Sequence, residues 1–105
     1  MGPWLVTGDE LTDPSGLEMV VTVNGEERQH TNTANLVFTV PYLVEFLSNL
    51  MTLEPGDVIL TGTPGGVGFA RDPQVFLKDG DVVRIEIDKI GALENKVKKT
   101  TEVMV

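Results

Sequence analysis

The sequence predicts a mainly β, α+β fold with one α-helix near residues 40–51. Three observations lead to this prediction: apolar runs rich in β-branched residues stand between turn signals, an Asn-Gly pair separates two of these runs, and one segment has apolar residues at helical spacing. A chain of 105 residues is long enough for one domain with a modest core.

The first predicted element is a β-hairpin. Residues 17–23 are rich in β-branched side chains, and Asn24 and Gly25 follow them directly. This pair favours a type I′ turn, because both central residues of that turn take a positive φ. The return strand is expected over residues 26–30, and its polar character indicates an exposed or site-facing strand. The polar run 31–35 is predicted to be a loop.

The predicted helix follows that loop. Its apolar residues recur at the spacing of one helical face: Leu43, Phe46, Leu47 and Leu50. Thr39 is placed to cap the N-terminus, and Pro41 fits the first turn, where its missing N–H costs little. A turn at 54–57 leads into the apolar run 58–60, which is predicted to be a buried strand.

The two ends of the chain add an aromatic residue and a second pair of strands. Trp4 is expected to be a core aromatic or a pocket wall, with the core preferred. Residues 82–88 alternate apolar and charged side chains, which is typical of a half-buried strand. Gly91 marks a turn, and residues 92–97 are expected to return as an antiparallel partner.

Composition and charge exclude several classes of function. Sixteen acidic residues against eight basic ones give a net charge of −8, which opposes nucleic-acid binding. No apolar run is long enough to cross a bilayer, so no membrane partner is expected. The chain has no cysteine, which excludes disulfides, thiolate metal sites and a cysteine nucleophile. This composition, with no visible secretory signal, favours a cytoplasmic protein.

The stretch 53–69, LEPGDVILTGTPGGVGF, contains the first candidate site. Its density of glycines lets backbone N–H groups approach an anion. On composition alone, the plainer interpretation is a loop that turns the chain between two strands. A Walker phosphate loop is excluded, because no Lys followed by Ser or Thr ends the stretch. A dinucleotide fingerprint is excluded because no helical pattern follows and Pro73 comes soon after.

The residues around the single histidine, His30, do not indicate a catalytic role for it. On a regular strand the side chains of Glu27 and His30 point to opposite faces. A serine nucleophile would need Ser15 or Ser48, and neither has an activating context. What remains is a loop able to hold a carboxylate or an enolate-like oxygen through its backbone N–H groups and threonine hydroxyls.

The order of the segments resembles a known family. GPWLVT, VNGE, RQHTNTANLVF, a helix, LEPGDVILTGTPGGVG, DGDVVRIEI and IGALENKV follow one another as in the C-terminal half of the fumarylacetoacetate hydrolase family. The resemblance covers essentially the whole chain. It implies that residues 1–105 are a single partial domain with the family's mixed β-sandwich roll, against which the helix packs.

The resemblance also implies an enzyme that acts on short oxo-acids. The reactions of the family are acylpyruvate-type carbon–carbon hydrolysis, decarboxylation of dicarboxylic oxo-acids, isomerisation of hydroxy-dienedioates and dehydration of sugar-derived acids. Its members use Mg²⁺ or Mn²⁺, held by three acidic side chains, to stabilise an enolate. The whole enzyme is expected to be a homodimer.

By resemblance, the substrate-binding residues lie in the TGTP segment. Thr63 is expected to bind the substrate carboxylate, Gly62 and Pro64 to shape the turn, and Thr61 to be a weaker candidate. Three more residues are carried over as pocket supports: Gln29, Asn32 and Thr33.

The family's metal ligands and active-site lysine lie upstream of the GPW segment, whereas here Met1 directly precedes it. We therefore expect no catalytic residue and no metal in this chain alone, and no activity. Its expected partners are a small oxo-acid and either a second copy or the missing N-terminal half. The alternative is a non-catalytic, β-rich interaction module, because unpaired strand edges recruit partners.

Overall fold

The computed structural model describes residues 1–66 and 68–100, with only the backbone of Phe69. Its elements, in chain order, are β1 (Glu18–Val23), β2 (Glu26–Asn32), α1 (Val40–Leu50), β3 (Val82–Ile87) and β4 (Gly91–Lys96). Short 3₁₀ turns lie at Thr33–Asn35 and Gly68–Ala70. The predicted mainly β class and the helix near 40–51 are confirmed. None of the described helices has the length and apolar character needed to traverse a bilayer.

The four strands form one antiparallel sheet in the order β2-β1-β3-β4. The predicted hairpin turn is confirmed, since Asn24 and Gly25 have φ values of 53° and 79°. Asn24 also ties the turn to β3. Its side-chain oxygen accepts from the Val82 N–H at 2.9 Å, and its Nδ2 donates to Asp81 at 2.9 Å. One residue therefore closes the hairpin and aligns the next strand.

Strand β2 contains a β-bulge that changes which side chains share a face. Glu27 and Gln29 pair with consecutive residues of β1, so Arg28 has no partner in the β1–β2 register. The extra residue reverses the alternation and places Glu27 and His30 together. Their side chains meet, with Nδ1 of His30 lying 2.7 Å from Oε1 of Glu27. The prediction that they point to opposite faces is therefore wrong.

Helix α1 begins where its cap predicts. The Thr39 hydroxyl accepts from the Tyr42 N–H at 3.3 Å, and Pro41 lies in the first turn. One side of the helix carries stacked rings: Phe38 and Tyr42 have centroids 5.2 Å apart, and Tyr42 and Phe46 have centroids 6.4 Å apart. We call these three residues the aromatic ladder. Each of them is about half exposed.

Very few of the described side chains are buried, and this corrects the prediction for Trp4. Among the described residues, Leu17 is the one buried hydrophobic side chain, at 2% exposure. Trp4 was expected in the core, but it is 59% exposed. Its indole N–H donates to the carbonyl of Ile90, which holds the N-terminal segment on the β3–β4 turn.

The other corrections concern strand boundaries. Residues 58–60 form no strand, and Val58 and Leu60 are exposed. A short apolar run becomes a strand only where another strand pairs with it, and no described segment pairs with this one. The predicted loop at 31–35 is also partly wrong, because its first two residues pair with β1 and extend β2.

Candidate carboxylate-binding site

The glycine-rich loop lies against the edge strand β2. Gln29, on β2, makes two hydrogen bonds to it. Its Nε2 donates to the hydroxyl oxygen of Thr63 at 3.0 Å and to the carbonyl of Pro64 at 2.9 Å. The structure thus brings into contact a predicted pocket support and two predicted substrate-binding residues.

A second attachment holds the far end of the loop. Arg71 donates from Nε to the Gly66 carbonyl at 3.1 Å and from Nη2 to the Arg28 carbonyl at 2.9 Å. Gly66 has a φ of 105°, and a Cβ there would lie 2.1 Å from the Arg28 carbonyl oxygen. Only glycine allows the loop to approach the β2 bulge this closely. Sequence reasoning missed Arg71, which lies beyond the TGTP segment; its side-chain hydrogen bonds to described residues go to backbone carbonyls.

A cleft of about 350 Å³ separates the loop from the C-terminal end of β2 and the segment that follows it. Thr61, Gly62, Thr63 and Pro64 line one side. The other side includes Asn32, Thr33 and residues of the segment that leads to Phe38. All the residues predicted for the site therefore lie around one cleft except Gln29, which does not line it but bonds to Thr63 and Pro64. The volume is at the small end of the range for ligand sites and suits a short acid.

The described lining of this cleft carries no charged side chain. It offers hydroxyl groups, and that of Thr61 has no hydrogen-bond partner among the described residues. Across the cleft, the Asn35 amide donates to the Thr31 hydroxyl at 3.4 Å. Hydrogen bonds to an ionised carboxylate are stronger than those between neutral groups, so neutral donors are sufficient to hold one. An uncharged lining also spares an anion the close repulsion expected elsewhere on a molecule of net charge −8.

The side chains of Asn32 and Thr33, in the wall of the cleft, form hydrogen bonds to neighbouring residues. The Asn32 side chain accepts from the Ala34 N–H at 2.9 Å and donates to Glu18 at 3.0 Å. The Thr33 hydroxyl accepts from the Leu17 N–H at 3.0 Å and donates to the Pro14 carbonyl at 2.5 Å. Both side chains are thus bonded to neighbouring residues of the protein, and their role as pocket supports stays a prediction.

His30 lies outside the cleft, between two carboxylates. Its Nε2 is 2.7 Å from Glu18 and its Nδ1 is 2.7 Å from Glu27. The hydrogen bond with Glu18 raises the pKa of His30 above its ordinary value. The pKa of Glu18 is lowered, first by the hydrogen bond from Asn32 and then by that from His30. The arrangement is an exposed ion-pair cluster.

The described residues contain neither an activated serine nor a metal site. Ser15 donates its hydroxyl proton to Asp13 at 2.7 Å, and Ser48 donates to the Glu45 carbonyl at 2.9 Å, so neither is activated by His30. Within residues 1–66 and 68–100, no group of three or more His, Asp or Glu side chains is placed to hold a metal ion. These residues do not provide the three acidic ligands that the family resemblance implies.

The comparisons with known proteins define the family. The chain matches the model described as Fumarylacetoacetate (FAA) hydrolase C-terminal over residues 1–98. It therefore belongs to the fumarylacetoacetate hydrolase family, as the order of its motifs indicated. The family's members include hydrolases, isomerases and tautomerases.

The similar proteins are much longer than this chain. The mitochondrial oxaloacetate tautomerase of Xenopus laevis is 53% identical over 97 residues, which are 92% of this chain and 30% of that protein. Maleylpyruvate hydrolase from Sphingobium sp. SYK-6, solved with manganese(II) and pyruvate, superposes with a TM-score of 0.83 at 43% identity, covering 92% of this chain and 34% of that one.

A third relative is the 2-hydroxyhepta-2,4-diene-1,7-dioate isomerase of Mycobacterium marinum. It superposes with a TM-score of 0.82 at 44% identity, covering 96% of this chain and 36% of that one. The sheet and helix therefore have the fold of the family's C-terminal domain, as predicted. The chain spans about a third of the length of the relatives it matches.

Proposed function

We propose that residues 1–105 are the C-terminal part of a catalytic domain that acts on short oxo-acids, and that they contribute the loop that binds the substrate carboxylate. The observation that carries this proposal is the uncharged, hydroxyl-lined cleft of about 350 Å³ beside Thr61 and Thr63. Oxaloacetate, maleylpyruvate and 2-hydroxyhepta-2,4-diene-1,7-dioate, named in the relatives, all carry a carboxylate next to an oxo or hydroxyl carbon. That shared group is what the loop would hold.

In this proposal, the residues of the chain bind and orient the substrate. Thr63 donates its hydroxyl proton to the carboxylate, and Thr61 supplies a second hydroxyl. Gly62 has a φ of 110°, which lets the chain turn between the two threonines. The reaction is acylpyruvate-type carbon–carbon hydrolysis, decarboxylation or isomerisation of a hydroxy-dienedioate. The cofactor of the whole enzyme is Mg²⁺ or Mn²⁺, with ligands from the rest of the domain, and the partner is that remainder or a second copy in a homodimer.

The test compares this chain with the whole catalytic domain that contains it. Both are assayed on an acylpyruvate, on oxaloacetate and on 2-hydroxyhepta-2,4-dienedioate, with Mn²⁺ or with a chelator. We expect metal-dependent turnover by the whole domain and none by residues 1–105 alone. Thr63→Val should lower kcat/KM roughly 10-fold to 100-fold, which is the value of one hydrogen bond to a charged group.

The matched control is Thr12→Val, an exposed threonine outside the cleft, which should leave kcat/KM unchanged. Turnover by the isolated chain, or an unchanged kcat/KM in Thr63→Val, would contradict the proposal.

The exposed aromatic ladder favours a second candidate, a non-catalytic interaction module that self-associates or complements a chain with the metal ligands. Half-exposed stacked rings are unusual on a free surface and are common at interfaces. Light scattering at high concentration tests it, together with mixing experiments with the remainder of the domain. A monomer that restores no activity on mixing would exclude this candidate.

A further inference from the structure

We propose that Gln29 is the positioning residue of the carboxylate site, because it forces the Thr63 hydroxyl to act as a donor toward the ligand. The inference rests on the proposed function of the glycine-rich loop. It adds the direction of the hydrogen bond between the Thr63 hydroxyl and the substrate carboxylate. It follows from three features of the contact between β2 and the loop.

The first feature is that both amide protons of Gln29 are used. Its Nε2 donates one to the Thr63 oxygen at 3.0 Å and the other to the Pro64 carbonyl at 2.9 Å. Turning the amide over would place its oxygen against the Pro64 carbonyl, and two acceptors repel each other. The carbonyl therefore fixes which end of the Gln29 amide faces Thr63.

The second feature is the pair of hydrogen-bonding roles of the Thr63 hydroxyl, which can accept from one partner and donate to another. A hydroxyl has one proton, and it accepts through its lone pairs. The amide nitrogen of Gln29 has no lone pair to offer, so Thr63 accepts there and must direct its proton elsewhere. Thr63 is exposed and lines the cleft, so its hydroxyl can donate a hydrogen bond to a ligand bound there. An ionised carboxylate only accepts, so the prepared donor matches it.

The third feature is that two different residues set the position of the loop and the direction of the Thr63 hydroxyl. Arg71 ties Gly66 to the Arg28 carbonyl and so sets how closely the loop lies against β2. Gln29 contacts the residue that would touch the ligand. An Arg71 substitution should therefore displace the loop, whereas a Gln29 substitution should mainly release the direction of the hydroxyl.

The experiment measures oxalate binding by calorimetry and kcat and KM for oxaloacetate, in the Mn²⁺-loaded whole domain. Gln29→Met keeps the length of the side chain and removes both donors. Gln29→Glu keeps its shape but adds an acceptor and a negative charge beside the ligand. We expect Gln29→Met to weaken oxalate binding and raise KM roughly tenfold with a smaller effect on kcat, and Gln29→Glu to weaken binding further.

A double-mutant cycle separates positioning from general support of the loop. In a Thr63→Val background, Gln29→Met should weaken oxalate binding less than about twofold, because there is no hydroxyl left to orient. Arg71→Met, the control for loop placement, should weaken binding in both backgrounds. If Gln29→Met does not fold, Gln29→Leu, which also removes both donors and adds no charge, completes the same cycle.

Wild-type oxalate affinity in Gln29→Met, or a loss that persists undiminished with Thr63→Val, would overturn the inference. If Thr63→Val weakens oxalate binding and Gln29→Met does not, the positioning role fails while the proposed carboxylate site stands. If Thr63→Val itself leaves binding unchanged, both fail.

Discussion

At the scale of single residues, the close contact between the glycine-rich loop and β2 requires glycine at position 66. Gly66→Ala would place a Cβ 2.1 Å from the Arg28 carbonyl oxygen, at a φ of 105°. The loop must move away from β2 or retain the strain. We expect the free energy of unfolding to fall by about 1–3 kcal/mol, measured by urea denaturation.

The neighbouring glycine provides the control for this prediction. A Cβ on Gly65 meets nothing within 4 Å, and Gly65 does not take a positive φ. Gly65→Ala should therefore leave the free energy of unfolding nearly unchanged. Equal stability in Gly66→Ala and Gly65→Ala would show that the close approach to Arg28 does not matter.

The cluster of His30, Glu18 and Glu27 predicts a dependence of stability on pH. Folding raises the pKa of His30 above its ordinary 6.5, so its contribution is complete below pH 6.5 and is lost as pH rises through the raised pKa. Folding lowers the pKa of Glu18 below its ordinary 4.5, so its contribution is present above pH 4.5 and is lost as pH falls through the lowered pKa. Both contributions are present between pH 4.5 and 6.5.

Urea denaturation of wild type and His30→Gln across pH 5–9 checks this dependence. The difference in unfolding free energy should be largest near the acid end of that range and should shrink toward pH 9. Added salt should reduce the difference, because the cluster is exposed. A difference that stays constant with pH would mean that folding does not shift the pKa of His30.

At this scale, sequence resemblance predicts a site at the TGTP residues, but it could not show the contact between Gln29 and Thr63. That contact depends on how a loop lies across an edge strand, which neither segment encodes alone. The meeting of Glu27 and His30 was missed for a related reason. It depends on a bulge at Arg28, and nothing in the local residue types marks a bulge there.

At the scale of secondary-structure elements, the features predicted correctly were those with local causes. Asn24 and Gly25 supply positive φ whatever surrounds them, and Thr39 caps its helix through its own side chain. The run 58–60 was predicted wrongly because a strand exists only through its partner. Its apolar composition was visible in the sequence, but the presence of a partner strand was not.

The helix cap gives a prediction at this scale. Thr39→Ala removes the hydroxyl that accepts from the Tyr42 N–H and leaves that group without its cap. We expect unfolding at a lower urea concentration, with a loss of about 1 kcal/mol. Thr52→Ala, an exposed threonine just beyond the helix, is the control and should have little effect. A larger loss in Thr52→Ala than in Thr39→Ala would contradict the role of the cap.

At the scale of the whole molecule, a single buried hydrophobic residue among those described is a small core. Much of the apolar surface, including the aromatic ladder, therefore faces outward. Burial of an exposed aromatic side chain is favourable at about 25 cal/mol per Å², so this surface favours association. The wall of the cleft and the ladder meet at Phe38, which links the site to this surface.

Substitution in the ladder should reduce association of the isolated chain. In Phe46→Ser, we expect a lower weight-average mass by light scattering at high protein concentration, because the half-exposed ring supplies apolar area to the contact. Asn49→Ala, an exposed change on the same helix that removes a polar group, is the control. An unchanged mass in Phe46→Ser would assign the association to another surface.

The indole bond between the N-terminal segment and the β3–β4 turn has a practical consequence. Trp4 is the chain's single tryptophan, so its emission reports this attachment without an added label. Release of the segment would move a partly covered indole fully into water and shift the spectrum to longer wavelength. Gly91→Ala would provide the reference spectrum for the detached state, because a Cβ there would lie 2.4 Å from the Trp4 ring. The protein thus has an intrinsic optical probe of whether its first residues are docked on the sheet.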